Sequence, residues 1–167
     1  PEGASTFMPN FKIIPSSQYK NNSEKNDVVN NVINYILRPS KIPHNITGGI
    51  GVSLTSASDV IKQFKQVKKS FRKTRGIPLQ HFIVSFSEGE EKRYSLRQFQ
   101  SIGYQIAEYF NGEYQIVFAL HEDSKHLHLH FAVNTVNFRT GKKMVWNETS
   151  FYSLKNFIET YTLTTYF

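Results

Sequence analysis

The sequence predicts an α+β domain with a largely antiparallel central sheet flanked by helices. Short apolar runs of strand length are interleaved with longer stretches of helical periodicity, the order of a mixed domain. The run at 126–134 opens by alternating histidine with leucine over 126–130, and side chains on a strand alternate between faces. A polar turn joins it to the apolar run at 115–121, so the two read as antiparallel neighbours.

Residues 1–7 read as an appended leader before Met8, the expected native start, and residues 8–167 as a single domain, the N-terminal part of a longer protein. Phe11-Lys12-Ile13-Ile14 reads as a short strand closed by Pro15 and a polar loop through Ser23. Val28, Val29, Val32, Ile33, Ile36 and Leu37 recur at helical spacing, which predicts an amphipathic helix over 24–37 that stops before Pro39. Tyr35 lies at the edge of its apolar stripe, where the ring packs and the hydroxyl points outward. Residues 38–57 carry Pro39, Pro43, Gly48, Gly49 and Gly51 and read as a long irregular segment, with His44 in it; such loops are usually functional or mobile.

Ser58 is the expected cap of a second helix over 59–75, with Ile61, Phe64, Val67 and Phe71 inward and Gly76 and Pro78 ending it. Its outward side carries Lys62, Lys65, Lys68, Lys69, Arg72, Lys73 and Arg75 against one acid, Asp59. That imbalance suits a phosphate backbone. His81 to Phe86 is a central strand, with His81 read as a strand-end residue rather than a ligand. Ser95 to Gln98 offers a capping box for a third helix, which Asn111-Gly112 stops. After the two histidine-bearing strands, a turn at 139–142 leads to a short strand through Met144-Val145-Trp146, and Phe151, Leu154, Phe157, Ile158 and Tyr161 give a last helix.

Composition narrows the chemistry. With 167 residues, 39% hydrophobic and 20% charged, the chain is globular. It has no cysteine, which excludes disulfides, thiolate metal sites and cysteine nucleophiles. No apolar run approaches a membrane span, so no membrane insertion and a cytoplasmic location are expected. A net charge of +7 favours a polyanionic partner, most often nucleic acid.

Four of the six histidines fall at 121, 126, 128 and 130. Neutral imidazole is the commonest metal ligand, and a row of three on a strand asks for a divalent cation. Residues four apart on a strand are about 13 Å apart, so His126 and His130 cannot share an ion. The strand pair is His126 with His128 or His128 with His130, joined by His121 from the neighbouring strand. A minimal turn over 122–125 places His121 opposite His126; a six-residue loop ending at Leu127 places it opposite His128. Either leaves an open coordination position, as in a catalytic site.

Three stretches carry a resemblance. Lys12-Ile13-Ile14-Pro15 followed by Asn34-Tyr35-Ile36-Leu37-Arg38-Pro39-Ser40-Lys41, then Gln80 to Glu90, then His121 to Asn134, resemble in order the three motifs of the relaxase or mobilisation endonucleases. These belong to the HUH superfamily, and the match is to the single-tyrosine group related to T-DNA border endonucleases. The resemblance implies an HUH-endonuclease sheet of ferredoxin-like or RRM-like type, with Tyr35 as nucleophile and His121, His128 and His130 holding Mg²⁺ or Mn²⁺. It implies single-stranded origin-of-transfer DNA as substrate, with relaxosome accessory proteins and a conjugative coupling protein as partners in a bacterial cytoplasm. Arg38 and Lys41 are placed to meet phosphates. His126 is left as a nearby polar group, a base or an alternate ligand, and Asp123 as a group that orients a ligand or takes the phenol proton. Ser85, Ser87 and Asn134 suit either the DNA or an ordinary sheet. Rolling-circle replication initiators share the histidine motif, but there the tyrosine usually follows the histidines. A non-catalytic nucleic-acid-binding module with a metal site is the alternative outside the enzymes.

Overall fold

In the computed structural model, which describes residues 10–14 and 27–165, five strands pair into one antiparallel sheet. They are β1 (Asn10–Ile14), β2 (Thr47–Ile50), β3 (Leu79–Ser85), β4 (Tyr114–His121) and β5 (His128–Asn137), ordered β1-β3-β5-β4-β2. The α+β expectation therefore holds. The expected leader, the Met8 start, the loop from Pro15 and the helix start at Glu24 lie outside the described residues.

Both faces of the sheet are covered, which explains why its middle strands are apolar almost throughout. On one face Phe82, Val84, Ile116, Phe118, Leu120, Leu129, Phe131 and Val133 pack under α4 (Leu96–Ala107) and α5 (Glu148–Thr165). On the other, Leu79, Val117, Ala119 and Ala132 pack under α1 (Val28–Ile36) and α2 (Ala57–Ser70). The first core is aromatic: the Phe82 and Phe131 rings stack at 4.6 Å, and Phe118 lies 5.6 Å from Phe131. The second uses small residues on the sheet, which brings α1 close to it.

Local chemistry sets the helix limits. Asp27 caps α1 by accepting from the Asn30 N–H, and the helix begins at Val28. Ser56, not Ser58, caps α2 by accepting from Asp59 N. That helix ends at Ser70, because Arg72 turns left-handed at φ 56° and Lys73 N closes back on Lys68 O. Arg72, Lys73 and Arg75 therefore lie on the following loop, not on a helical face. The Ser95–Gln98 capping box forms as expected, and Asn111 stops the chain in the left-handed region at φ 53°.

Three further differences concern elements. The segment expected to be irregular contains β2, paired with β4 from Thr47↔Ala119 to Ile50↔Ile116. A short acidic helix, α3 (Glu88–Arg93), follows β3 and is closed by a Ser87–Glu90 capping box. The strand expected through Met144 to Trp146 does not form beyond one bridge, Val136↔Lys143. There Asn147 and Ser150 bond each other's backbone and start α5.

Candidate active site

Strand register assembles the site. Cα pairs His121↔His128, Ala119↔His130 and Ile83↔His130 place His121, His128 and His130 on the α1 face, and His81, two residues before Ile83, shares it. His121 thus stands opposite His128, the arrangement of the longer loop. That loop is held open by contacts distant in sequence: Leu127 N donates to Glu91 at 2.6 Å, and Leu127 O accepts from Phe86 N at 3.1 Å. Leu127 is thereby tied outside the β4–β5 ladder, and His126 with it. The His126 side chain is 42% exposed, and its Nδ1 lies 3.5 Å from Glu91.

Helix α1 delivers Tyr35 onto this face. Its ring stands edge-on at 5.4 Å from the His121 ring, 5.6 Å from that of His130 and 6.3 Å from that of His81. Lys41 Nζ lies 5.0 Å and Arg38 Cζ 6.0 Å from the Tyr35 ring centre. Lys41 is held by Asp123, Glu122 N donates to Lys41 O at 2.9 Å, and the Glu122 carboxylate contacts His44 Nδ1 at 2.9 Å. The loop after Tyr35 is thus latched to the loop between the histidine strands. The Lys41 ammonium holds the Asp123 carboxyl below the usual carboxylate range.

The imidazoles of His81, His121, His128 and His130 are neutral near pH 7. Burial keeps His121, His128 and His130 below the ordinary range and takes His81 down to about 4, with the charge of His121 reinforcing the effect at His81 and His130. Hydrogen bonds anchor one nitrogen of each ligand candidate. His121 Nε2 donates to Ile36 O at 2.8 Å, one of the carbonyls a helix end leaves unpaired. Ser124 Oγ donates to His126 O, so His128 Nδ1 donates to Ser124 Oγ at 3.0 Å. His130 Nδ1 lies 3.1 Å from His81 Nε2.

The donor set therefore fits a divalent ion: three neutral rings, each anchored at one nitrogen, the usual outer-shell device of histidine ligands. The rings do not yet converge. His121 and His130 stack at 3.9 Å, and among the described residues no three His, Asp or Glu groups stand ready to hold one ion. Closing on a metal requires the rings to turn.

The remaining expected residues separate. Lys62, Lys69, Arg72, Lys73 and Arg75 are exposed, and Lys65 pairs with Asp27. Lys68 is only 7% exposed; it donates to Pro78 O and reaches Thr135 Oγ1 at 3.4 Å, so it is not part of an outward cationic face. Its helix turns it inward, and burial pushes its amine down to about 7. Helix α2 crosses the sheet near Asn134 and Gln115, through bonds to Phe64 O and Gln63 O. That is roughly 20 Å along β5 from His128. Asn134 is fully buried in this scaffold and Ser87 caps α3. Three contributors had weak sequence signals: His81 inside an apolar run, Ser124 in a polar turn, and Glu91 beside a Ser-x-x-Glu pattern that marks the start of α3.

Comparison with known proteins points one way. Residues 35–164 match the family described as "Relaxase: MobA/VirD2-like, nuclease domain". The Group II intron-interrupted relaxase LtrB of Lactococcus lactis subsp. cremoris is 28% identical over 151 residues, covering 75% of this chain and 26% of that protein. A protein named rlx from Staphylococcus aureus is 32% identical over 85 residues, covering 51% of this chain and 26% of its own length. The chain thus spans about a quarter of these relatives. Among solved structures, the MobM relaxase domain bound to plasmid pMV158 oriT DNA, with Mn, superposes with a TM-score of 0.58 at 11% identity, covering 93% of this chain and 87% of that one. At that identity the likeness shows the fold.

Proposed function

The chain belongs to the MobA/VirD2-like relaxase nuclease-domain family, and from that premise we propose that it nicks single-stranded DNA at an origin of transfer through Tyr35, to start mobilisation of a plasmid or integrative element. The observation that carries this is the packing of Tyr35, from a helix far earlier in the chain, against the rings of His121 and His130. MobM, which shares the fold, was solved with oriT DNA and Mn. Relaxosome proteins and a conjugative coupling protein in a bacterial cytoplasm are the partners such a reaction needs.

His121, His128 and His130 would hold a divalent ion, Mg²⁺ or Mn²⁺, which when bound draws electron density from the scissile phosphate. Tyr35 supplies the nucleophile. Its phenolic oxygen forms the bond to phosphorus, the 3′-oxygen leaves with the electron pair, and the phenol proton ends, through solvent, on that oxygen. The products are a 5′-phosphotyrosine and a free 3′-hydroxyl, so the phosphodiester energy is kept for rejoining. Lys41 and Arg38 place positive charge beside the ring, where it meets the DNA phosphates. Asp123, bound to Lys41, positions that charge rather than acting as a free base.

The test is formation of a denaturant-stable protein–DNA adduct with Mn²⁺ and single-stranded oligonucleotides tiled across the DNA flanking the gene. Wild-type protein should form it and Tyr35→Phe should not. An adduct retained in Tyr35→Phe would overturn the nucleophile; cleavage without any adduct would indicate a water-using nuclease; binding with no cleavage under any metal would favour a binding module.

A further inference from the structure

We infer that His81 is a positioning residue that fixes the tautomer of His130, so that Nε2 of His130 keeps its lone pair for the metal. The inference rests on the metal-dependent reading above and extends it to a residue outside the ligand set.

His81 projects from β3 onto the histidine face and is 2% exposed, with Ala132 as its Cα partner on β5. Its Nε2 lies 3.1 Å from Nδ1 of His130, itself 4% exposed, and the two ring centres are 5.3 Å apart. Two neutral rings at that separation share one proton, because two N–H groups cannot face each other and two lone pairs would repel. A proton on His130 Nδ1 gives a ring whose Nε2 is a lone pair; a proton on His81 gives the opposite tautomer. The first arrangement is the one that parallels the neighbouring candidates, since His121 and His128 each donate one N–H to an oxygen and keep the other nitrogen as an acceptor. His81 thereby does for His130 what the Ile36 carbonyl does for His121 and Ser124 for His128. It is an imidazole where outer-shell acceptors are commonly carboxylates or carbonyls, so it orients the ligand without adding negative charge beside the ion. His81 also packs 6.3 Å from the Tyr35 ring, so one side chain buttresses both halves of the site.

The experiment combines two readouts. In metal-free wild-type protein, long-range ¹⁵N–¹H correlation spectra of the imidazoles should show His130 protonated on Nδ1; protonation on Nε2 would overturn the inference whether or not a metal binds. Mn²⁺ binding, followed by titration calorimetry, should weaken about 10- to 100-fold in His81→Phe, which keeps the ring volume and removes the acceptor. His81→Gln, whose amide oxygen reaches a similar point, should recover most of that affinity. Excess Mn²⁺ should restore adduct formation by His81→Phe, a response that a general loss of packing would not give. Equal Mn²⁺ affinity in folded wild type and His81→Phe would overturn the role of His81 alone. A wild type that binds no Mn²⁺ while showing the expected tautomer would instead bring down the metal-dependent reading, and this use of the tautomer with it.

Discussion

At the scale of single residues, the proposed site combines a nucleophile, a charge and a set of anchored rings, and each can be separated by substitution. Lys41 lies 5.0 Å from the Tyr35 ring centre and is tied to Asp123. Lys41→Met should slow adduct formation by about 10- to 100-fold, since a fixed charge beside a developing anion contributes strongly where water is excluded. Asp123→Asn, which only frees Lys41, should cost less; single-turnover rates with one oligonucleotide distinguish the two. The buried rings also make a prediction about acid. His81 ionises at about 4 in the folded chain, against the ordinary 6.5 of a histidine in the unfolded one. Above 6.5 neither state binds the proton and stability is full. Between 6.5 and about 4 the unfolded chain takes up a proton that the fold refuses, so stability falls as pH falls and levels off only below the folded value. Metal-free protein should melt lower at pH 5 than at pH 7.5, by roughly 2–4 °C for each kcal/mol lost. His81→Phe should shrink that drop. These residues were unequally legible in sequence. His128 and His130 announce themselves by alternation, but His81 looks like any polar residue at the start of an apolar strand until the pairing of β3 with β5 sets it beside His130.

At the scale of elements, α4 packs closely on the sheet face opposite the histidines. A Cβ on Gly103 would stand 2.3 Å from Phe118 Cε2, and one on Gly48 would stand 2.2 Å from Phe118 Cζ. Phe118 is thus clamped between helix and edge strand by two missing side chains. Gly103→Ala should destabilise by about 1–3 kcal/mol, the cost of overpacking a filled core. Gly89→Ala in α3, where a new Cβ meets nothing within 4 Å, should be neutral or stabilising by about 0.5–1 kcal/mol. Denaturant midpoints of the two variants measure the contrast. The same glycines explain why β2 is hidden in the sequence: Thr47–Ile50 is half glycine, so it lacks the β-branched and aromatic pattern that marks β3, β4 and β5. Helix α3 is too short for periodicity to register, although its capping box is written in Ser87 and Glu90. The choice between the two β4–β5 loop lengths was open in the sequence because the deciding contacts, Glu91 and Phe86 to Leu127, come from far along the chain.

At the scale of the whole molecule, seven of the chain's 20 lysines and arginines gather in two regions. Arg38 and Lys41 flank Tyr35, while Lys62, Lys69, Arg72, Lys73 and Arg75 lie on α2 and the loop after it, roughly 20 Å from His128 along β5. Such a layout suits a strand that is held by its backbone at one end and cut at the other. Counterion release then distinguishes a cation that meets phosphate from one that serves the fold. Each phosphate contact to single-stranded DNA should contribute about 0.7 to the slope of log K against log salt. Lys69→Met, on the exposed surface, should lower the slope by about that amount and weaken all sequences alike. Lys68→Met should leave it unchanged, because this lysine turns inward to Pro78 O and Thr135 Oγ1 and shares that oxygen cage with Lys143. Its substitution should act on stability instead, and with a pH dependence. Lys68 ionises at about 7 in the fold against 10.5 otherwise, so the unfolded chain binds the extra proton between those values and wild-type stability rises with pH across them. Lys68→Met should flatten that rise. Salt titrations of oligonucleotide binding alongside denaturation at pH 7 and pH 9 separate the two lysines, and a normal pH dependence with a reduced salt slope in Lys68→Met would return it to the DNA-binding surface.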